Sequence, residues 1–412
     1  MIRSGIAVSR RDFLRSGLAG SALLALNGQV PAFLRQAAAD AANRSDHILV
    51  VLQLSGGNDG LNTVVPYRDP LYYAHRPELG IPAGDVLKIN DEVGFHAAMR
   101  GAAELLEAGK LAIVQGVGYP QPNRSHFESM DIWHTCFRKT QPRRDGWLGR
   151  YLERVPQPSE LPALHIGDEQ QPLALASQEV RVPSVASFEE FRLQAEPAVR
   201  RKLEALVARN AEQNDGLLDF VRSSTQAALR ASQQLADIAK SRNTAGGYPR
   251  TPLGERLATI AQLIGADLPT RIYYLALDGF DTHAQQPAAH AALLEQWSMA
   301  VKAFFDELEQ QGNAARVLLF SFSEFGRRVQ ENASQGTDHG AAAPVFLAGP
   351  GVRPGVHGAL PSLEDLDDGD LKFHTDFRRV YAALLEDWLG LADSAPVLAG
   401  KYDPVPVLKK AT

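Results

Sequence analysis

Residues 47–62, HILVVLQLSGGNDGLN, decide the fold of this chain. The first part is its most apolar strand-like run, and the second part joins glycines to Asn58 and a lone aspartate, Asp59. Such a stretch after a strand indicates a backbone bent around a phosphate, a metal ion or nothing more than a tight turn. It has neither the GK[ST] of a P-loop nor the spacing of a dinucleotide loop. Asp59, taken alone, is therefore either a turn residue or a metal ligand.

Four further apolar, β-rich runs alternate with helical patterns and predict a mainly parallel sheet covered by helices. The runs are KLAIVQGV (110–117), RIYYLALD (271–278), ARVLLFSF (315–322) and APVFLAG (343–349), and the predicted helices cover 97–107, 125–137, 286–310 and 376–389. Each run ends in a polar, glycine-containing stretch: GYPQPNRSH (118–126), DGFDTH (278–283), SEFGRR (323–328) and GPGV (349–352). Ligands of doubly wound sheets bind beyond the carboxyl ends of the strands, so the sequence predicts one site at that edge.

The N-terminal segment differs from the rest of the chain. SRRDFLR (9–15), a short apolar run and the alanine-rich QAAAD (36–40) are typical of a twin-arginine export signal. We therefore expect a signal peptide at residues 1–39 and a periplasmic or secreted α/β domain at 40–412, with a helical insertion at about 190–265. The apolar run is too short to span a bilayer, and no later segment approaches a membrane span.

The net charge and the cysteine content argue against nucleic acid as the main partner and exclude an internal disulfide. Removal of residues 1–39, with five arginines and one aspartate, changes the formal charge from −6 to about −10. An acidic protein is a poor match for nucleic acid. The single cysteine, Cys136, cannot form an internal disulfide, and we interpret it as a small buried hydrophobe.

Two pairs of carboxylate and imidazole are expected at the predicted edge of the sheet. DGFDTH contains Asp281 and His283, and GTDHG contains Asp338 and His339, while SEFGRR adds Glu324 with Arg327. Carboxylate and imidazole together suit Zn²⁺ or a similar divalent ion. His374 is a further candidate, although the neighbouring Asp376 also fits a helix cap. Four other histidines are interpreted as satisfied polar residues rather than ligands: His126, His134, His290 and His357.

Ser125 permits two interpretations. With Glu128 it forms the S-x-x-E pattern of a capping box, which explains the serine on structural grounds. A serine at a helix N-terminus also lies where free backbone amides hold an anionic ester, and a metal or base there would activate its hydroxyl. The adjacent Arg124 either holds an oxyanion or faces water.

Together these motifs resemble a known family. LQLSGGNDGLNTVVPY, GYPQPNRSHFESMDIWHT, GWLGRYL, LALDGFDTH, FSEFGRRVQENASQGTDHG and DFRRVYAALL, with the twin-arginine leader, are similar to the exported bacterial family named domain of unknown function 1501. That family looks distantly similar to the alkaline phosphatase and sulfatase superfamily. The resemblance implies an alkaline-phosphatase-like, three-layer α/β/α fold that binds one or two divalent metals and hydrolyses phosphate or sulfate esters with a Ser, Thr or formylglycine nucleophile.

The same resemblance implies roles for individual residues. Ser125 is the implied nucleophile, with Arg124 or Arg327 steadying the oxyanion. The implied metal ligands are Asp59, Asp281, His283, Glu324, Asp338 and His339. Where the superfamily has Asp-His-Gly, this chain has Glu324-Phe325-Gly326, and one histidine ligand is missing. A two-zinc site, a single metal, a harder ion such as Ca²⁺ or Mg²⁺, and an empty site all stay open.

We therefore expect an exported, metal-dependent hydrolase of a small anionic ester, with the twin-arginine translocase as its partner during export. The alternative is a non-catalytic exported protein that keeps the fold and binds a ligand or partner. In that case GWLGRYL (146–152) and the helical insertion would form the partner surface.

Overall fold

The computed structural model describes residues 47–155, 161–185 and 247–409. The expected export signal at 1–39 and residues 190–246 of the expected insertion lie outside these ranges. The described residues all belong to one compact unit. Across the described ranges, no helix combines the length and apolarity needed to cross a membrane.

The strands comprise one central sheet and several small ribbons. In chain order they are β1 Ile48–Leu54, β2 Val64–Val65, β3 Leu87–Lys88, β4 Gly94–Phe95, β5 Leu111–Gly118, β6 Ala163–Ile166, β7 Ser184–Val185, β8 Ile272–Leu277, β9 Val317–Phe322, β10 Arg327–Glu331, β11 Thr337–His339, β12 Ala343–Ala348, β13 Gly355–His357, β14 Leu366–Asp367, β15 Asp370–Leu371 and β16 Thr375–Asp376.

The helices alternate with these strands along the chain. They are α1 Gly60–Thr63, α2 Pro70–His75, α3 Arg100–Glu107, α4 His126–Thr135, α5 Trp147–Arg154, α6 Pro252–Gly265, α7 Gln286–Gln310, α8 Phe377–Ala382 and α9 Ala395–Leu398. A π-helical segment, Ala383–Trp388, continues α8, and short 3₁₀ segments lie at Leu173–Leu175 and Ala314–Arg316. Asp376 accepts a hydrogen bond from the backbone N of Arg378, which confirms that it caps α8.

The central sheet has the order β13-β5-β12-β9-β1-β8-β6-β7, with β16 also paired to β5. Strand β1 is parallel to β8 and β9, whereas β12 is antiparallel to both β9 and β5. Between β9 and β12 the chain forms only the β10–β11 hairpin, which returns it to the edge where β9 ended. Without a crossover helix the next strand must run back, and β12 does.

The reversed strand changes one expectation about the loops. We expected the stretch GPGV (349–352) after β12 to join the others at the site edge, and this is wrong. The backbone N of Gly349 donates to the carbonyl of Lys110, which precedes β5, so this stretch lies at the opposite edge. The stretch GTDHG, which precedes β12, lies at the carboxyl edge of β1, β5, β8 and β9.

Alternation along β1 divides the core between the two faces of the sheet. Ile48, Val50 and Leu52 belong to a buried cluster that includes residues of α3, α6 and α7. Leu49 and Val51 belong to a second cluster that includes residues of α4, α5 and α8. Successive strand side chains point to opposite faces, so one strand supplies both layers. The expected doubly wound, three-layer α/β fold with a mainly parallel sheet is confirmed.

Two buried histidines hold polar groups within this core. Nε2 of His134 lies 3.1 Å from Gln53 Oε1, and Nε2 of His290 lies 2.9 Å from Asn58 Oδ1. Burial disfavours the imidazolium, and it lowers the pKa of His134 to about 3 and that of His290 to about 4. Both are satisfied polar residues, as expected.

These imidazoles predict that mild acid destabilises the protein. In the unfolded chain a histidine takes up a proton near its ordinary pKa of 6.5, whereas His290 in the fold does so only near 4. The unfolded state therefore binds more protons within that window, and the free energy of unfolding falls as the pH drops through it. The fall is at most about 1.4 kcal/mol per pH unit for each such residue.

His290→Gln removes one of these titrating imidazoles and supplies an amide N–H donor in its place. We expect urea unfolding of this variant, compared at about pH 7 and about pH 5, to lose less stability on acidification than the unaltered protein does. Equal losses in both proteins would contradict a neutral, buried His290.

Candidate metal centre

Loops at the carboxyl ends of β1, β8 and β9 pack directly on one another. Gly56 has a φ of 115°, and a Cβ on it would lie 2.4 Å from the backbone N of Asp281, so only glycine permits this approach. The backbone N of Gly56 also donates to Glu324 Oε1 at 2.9 Å. The packing therefore brings Asp281 and Glu324 against the glycine-containing loop.

Four side chains, called here the histidine cluster, converge at this edge: His126, Asp281, His283 and His339. Nε2 of His283 and Nε2 of His339 each lie 3.0 Å from Asp281 Oδ1, and Nε2 of His126 lies 3.5 Å from the same oxygen. The Nε2 atoms of His283 and His339 are 2.9 Å apart. The helix α4, the loop after β8 and the strand β11 thus present three imidazole nitrogens to one carboxylate oxygen.

The opposite nitrogen of each imidazole contacts an oxygen outside the cluster. Nδ1 of His126 lies 2.8 Å from Glu324 Oε1, and Nδ1 of His339 lies 2.8 Å from the carbonyl of Arg124. Nδ1 of His283 lies 3.4 Å from Asp338 Oδ1. Each oxygen favours the tautomer with a proton on Nδ1, which leaves the lone pair on Nε2.

This arrangement fits a bound cation. Three Nε2 lone pairs directed at a carboxylate oxygen repel one another unless a proton or a cation lies among them. Nε2 of His126 is buried and has no hydrogen-bond partner in the described part of the chain. The ligand atoms of His126, Asp281 and His339 all lie within 4.8 Å of one another, and Nε2 of His283 adds a further imidazole nitrogen beside Asp281. Such a donor set suits Zn²⁺ or a similar ion, whereas Ca²⁺ and Mg²⁺ prefer oxygen ligands.

The charges around the cluster keep its carboxylate ionised. Burial raises the pKa of Asp281, but the hydrogen bond and the positive charge of Arg327 outweigh it and lower that pKa to about 2. The hydrogen bond with Glu324 raises the pKa of His126 above its usual range. Asp281 is therefore negative at any ordinary pH and provides the anionic ligand that a divalent ion needs.

Arg327 joins the loops that carry the cluster. Its Nε donates to the carbonyl of Gly57 at 2.7 Å, and its Nη1 donates to that of Thr337 at 2.8 Å. Its Nη2 donates to Asp281 Oδ1 at 2.7 Å and also to the carbonyls of Gly56 and Phe280. The side chain is fully buried, so it faces protein oxygens rather than the oxyanion that we had assigned to it.

Asp59, which we expected among the metal ligands, lies in a buried ion pair. Its Oδ2 is 2.6 Å from Nη1 of Arg76 and accepts from Nε2 of Gln286 at 2.5 Å. Burial raises the pKa of this carboxyl, but the Arg76 guanidinium outweighs it and the net pKa is lowered. Its Oδ1 accepts from the backbone N of Asn62 and caps α1, so the fold uses both oxygens.

Glu324 and Asp338, also expected as ligands, contact the imidazoles from behind. Glu324 is buried and accepts hydrogen bonds from Gly56 and His126, while Asp338 is exposed and holds His283. Both carboxylates therefore orient ligands in this structure rather than join Asp281 at the centre of the cluster.

Ser125 lies at the N-cap of α4, but the expected capping box does not form. The serine side chain makes no cap hydrogen bond, and Glu128 pairs with Arg143 instead. The guanidinium of Arg124 is 2.7 Å from Asp370 Oδ2 and 3.0 Å from Asp368 Oδ2. Ser125 therefore has an exposed, uncommitted hydroxyl next to His126, and Arg124 contributes its carbonyl rather than its charge to the cluster.

The structure places His126 in the cluster, where our sequence interpretation did not. The only signal was its position, one residue beyond the candidate Ser125 in a loop that reaches the site edge. The interpretation of His357 agrees with the structure, because its Nε2 lies 2.7 Å from the carbonyl of Arg353. His374 is exposed and lies outside the cluster.

Two other features bear on ligand and partner surfaces. Within α5, which contains most of GWLGRYL, the side chains of Trp147, Leu148 and Tyr151 are buried, so this segment forms core rather than a partner surface. Phe127 follows His126 in the sequence and is 87% exposed, so its aromatic ring faces solvent. Cys136 is buried, as expected.

Comparison with known proteins assigns a family. A profile described as "Protein of unknown function (DUF1501)" matches residues 46–400. No curated protein matches the chain in sequence.

Several solved structures resemble the fold at low identity. Lipoteichoic acid synthase LtaP from Listeria monocytogenes is 8% identical to this chain; the match covers 89% of this chain and 78% of the LtaP chain, with a TM-score of 0.41. The PsFucS1 sulfatase from Pseudoalteromonas sp. is 12% identical; the match covers 91% of this chain and 77% of the sulfatase chain, with a TM-score of 0.38. The C-terminal periplasmic domain of EcEptC from Escherichia coli in complex with Zn is 10% identical; the match covers 75% of this chain and 74% of the EcEptC chain, with a TM-score of 0.36.

Two aspartates at this edge are predicted to respond differently to the same change. Asp59→Asn leaves Arg76 as an unpaired buried charge and should lower the free energy of unfolding by about 3 kcal/mol. Asp281→Asn removes the anionic ligand and should abolish metal binding; it also takes the carboxylate from the buried Arg327, so its unfolding transition must show that the variant is folded. Metal content by elemental analysis and stability by urea unfolding measure the two effects. A folded Asp59→Asn protein that lacks metal would place Asp59 in the metal site after all.

The carboxylate behind His126 is predicted to tune metal affinity. Glu324→Gln weakens the acceptor that orients this imidazole and should lower the affinity for Zn²⁺ roughly 10- to 100-fold, measured by competition with a chelator. Glu331→Gln is the matched control, because its carboxylate accepts only from the backbone of residues 78 and 79 in the interactions seen here. Equal affinities in the two variants would show that Glu324 has no such role.

Proposed function

The chain belongs to the DUF1501 family, and we propose that it is an exported, metal-dependent hydrolase of a phosphate or sulfate ester. The observation that carries the proposal is the convergence of three imidazole nitrogens on Asp281 Oδ1, each imidazole held from behind by an oxygen. Structural histidines of a core do not need such an arrangement. The exposure of Asp281 and His283 leaves the cluster open to a ligand.

In this proposal one divalent ion is held by His126, Asp281, His283 and His339. When bound, it supplies positive charge that offsets the charge of the ester and favours deprotonation of a neighbouring hydroxyl. The protein contributes fixed geometry, because Arg327 fixes Asp281 while Glu324, Asp338 and the Arg124 carbonyl fix the three rings. Preorganised charge of this kind costs no rearrangement during the reaction.

Ser125 is the proposed nucleophile. It is exposed, makes no side-chain cap bond and precedes the cluster residue His126. The first backbone N–H groups of the ten-residue helix α4 have no helical acceptor, and they point toward a position where an anionic ester can accept hydrogen bonds. Neither Arg124 nor Arg327 is needed for that contact, since both guanidinium groups pair with carboxylates of the protein.

We also propose that the chain leaves the cytoplasm through the twin-arginine pathway, on the motif SRRDFLR at residues 9–15. That pathway carries folded cargo, so the four ligands, which come from distant parts of the sequence, can assemble and load metal before export. The translocase is then the partner of the leader during export.

The proposal is tested with protein loaded with Zn²⁺, Mn²⁺, Ca²⁺ or Mg²⁺ and screened against phosphate and sulfate monoesters. We expect hydrolysis with about one equivalent of a transition-metal ion, and its loss together with the metal in Asp281→Asn. Ser125→Ala should retain the metal and lose roughly a thousandfold or more in kcat, as expected for removal of a nucleophile.

Each alternative has its own outcome. If Ser125→Ala is active while Asp281→Asn is inactive, the proposal of a hydrolase stands but the serine is not its nucleophile. A stoichiometric metal without hydrolysis of any ester would favour the non-catalytic binding protein. A chain that binds none of the four ions would overturn the proposal at its base.

A further inference from the structure

A cavity of about 640 Å³ opens beside the histidine cluster, and we propose that it binds the neutral, hydroxyl-bearing alcohol portion of the ester. This inference rests on the proposed function and deepens it, because it concerns the part of the substrate that does not react. The volume of the cavity lies within the range of about 300–1,000 Å³ that is usual for small-molecule sites.

The cavity and the cluster share residues of the same two loops. Arg124 lines the cavity, and its carbonyl holds Nδ1 of His339. Ala341 and Ala342, which also line it, follow His339 closely in the sequence. A molecule in the cavity is therefore next to the cluster, as the alcohol portion of an ester must be when its anionic group meets the metal.

The charge of the lining opposes a second anionic group. Three carboxylates line the cavity, at Asp367, Asp368 and Asp370, against two cations at Arg124 and Lys372. Arg124 already pairs with Asp368 and Asp370, and Lys372 pairs with Asp365. Negative charge therefore prevails, and like charges repel, whereas hydroxyl groups can donate to carboxylates.

One of these carboxylates has spare hydrogen-bonding capacity. Asp370 is buried, and its Oδ2 accepts from Nε of Arg124 at 2.9 Å. Its Oδ1 accepts no hydrogen bond from any residue that the structure describes, and the nearest cation is Nε of Arg328 at 3.7 Å. A buried acceptor without a donor is costly, and beside it the exposed carboxylates of Asp367 and Asp368 are the acceptors that ligand hydroxyls reach directly.

The rest of the lining offers apolar surface of the kind that covers a ring. Tyr119, Pro122, Leu371 and Phe373 contribute to it, with the small side chains of Ala341 and Ala342 between them. Gln121, at the same wall, has a φ of 51°, a left-handed conformation that costs energy for a residue other than glycine. Apolar faces together with acceptors suit a hydroxylated ring better than a simple hydrocarbon or a second anion.

Ala341→Leu places a larger side chain at the cavity wall and is the variant that tests the inference. Its matched control is Ala303→Leu, the same change in a separate cavity of about 190 Å³ lined also by Tyr248, Met299 and Lys302. Metal content of both variants shows whether the histidine cluster, only two residues from position 341, is still intact.

Three probes are compared as phosphates or as sulfates, whichever the protein hydrolyses: the methyl ester, the anomeric ester of glucose and the anomeric ester of glucuronate. We expect kcat/KM for the glucose ester to exceed that for the other two roughly tenfold or more, and Ala341→Leu to remove most of that preference. Ala303→Leu should retain it. A preference for glucuronate, or a ratio of glucose to methyl ester that Ala341→Leu leaves unchanged, would overturn the inference.

Binding without turnover separates this inference from the proposed function. Methyl β-glucoside should show contact with the metal-loaded protein and with Ala303→Leu in ligand-observed NMR, and lose it in Ala341→Leu. If that pattern holds while no ester is hydrolysed, the cavity is a site and the hydrolase fails. If the glucoside binds Ala341→Leu as well as the unaltered protein, or binds neither, the cavity inference is overturned whatever the esters show.

Discussion

The guanidinium of Arg327 is the interaction on which the rest of the site depends. It is buried, and it donates to carbonyls of the loops after β1 and β8 and of strand β11, as well as to Asp281. Chain ends of parallel strands carry unpaired carbonyls, and a planar cation with several donors satisfies them together. The same cation keeps Asp281 ionised, so the geometry and the charge of the histidine cluster have one origin.

A second buried cation supports the first from the neighbouring loop. Arg76 pairs with Asp59 and donates to the carbonyls of Val329 and Arg328, so it joins helix α2 to strand β10. Through Asp59 the same ion pair fixes the loop after β1, whose glycines contact Arg327 and Glu324. Each buried charge here has an opposite charge and hydrogen bonds, which is the condition under which burial is tolerated. The aspartate that first drew attention to this loop therefore belongs to the framework.

The sequence predicted the layers of the fold better than the members of the site. The central strands and α7 follow from apolar runs and periodicity, because local pattern and burial agree there. Strands β6 and β7 were not predicted, since Ala163–Ile166 and Ser184–Val185 are too short to stand out. The antiparallel β12 also escaped, because strand direction depends on the path of the chain between β9 and β12 rather than on the residues within the strand.

Sequence by itself determined that apolar strands end in polar loops, and that Asp281, His283 and Glu324, which follow two of these strands, meet at one edge. It did so because parallel strands must present their carboxyl ends together. Asp338 and His339 were predicted at the same edge, and they reach it through the β10–β11 hairpin that precedes the antiparallel β12. Only the tertiary structure decided which of these side chains face one another. In the structure Asp59 pairs with Arg76, and Arg327 donates to carbonyls of the loops. Glu324 and Asp338 contact the imidazoles from behind, and His126 joins the cluster. The reason is physical: a carboxylate or an imidazole has the same sequence signature in either role, and the contacts that distinguish the roles come from residues far apart in the chain.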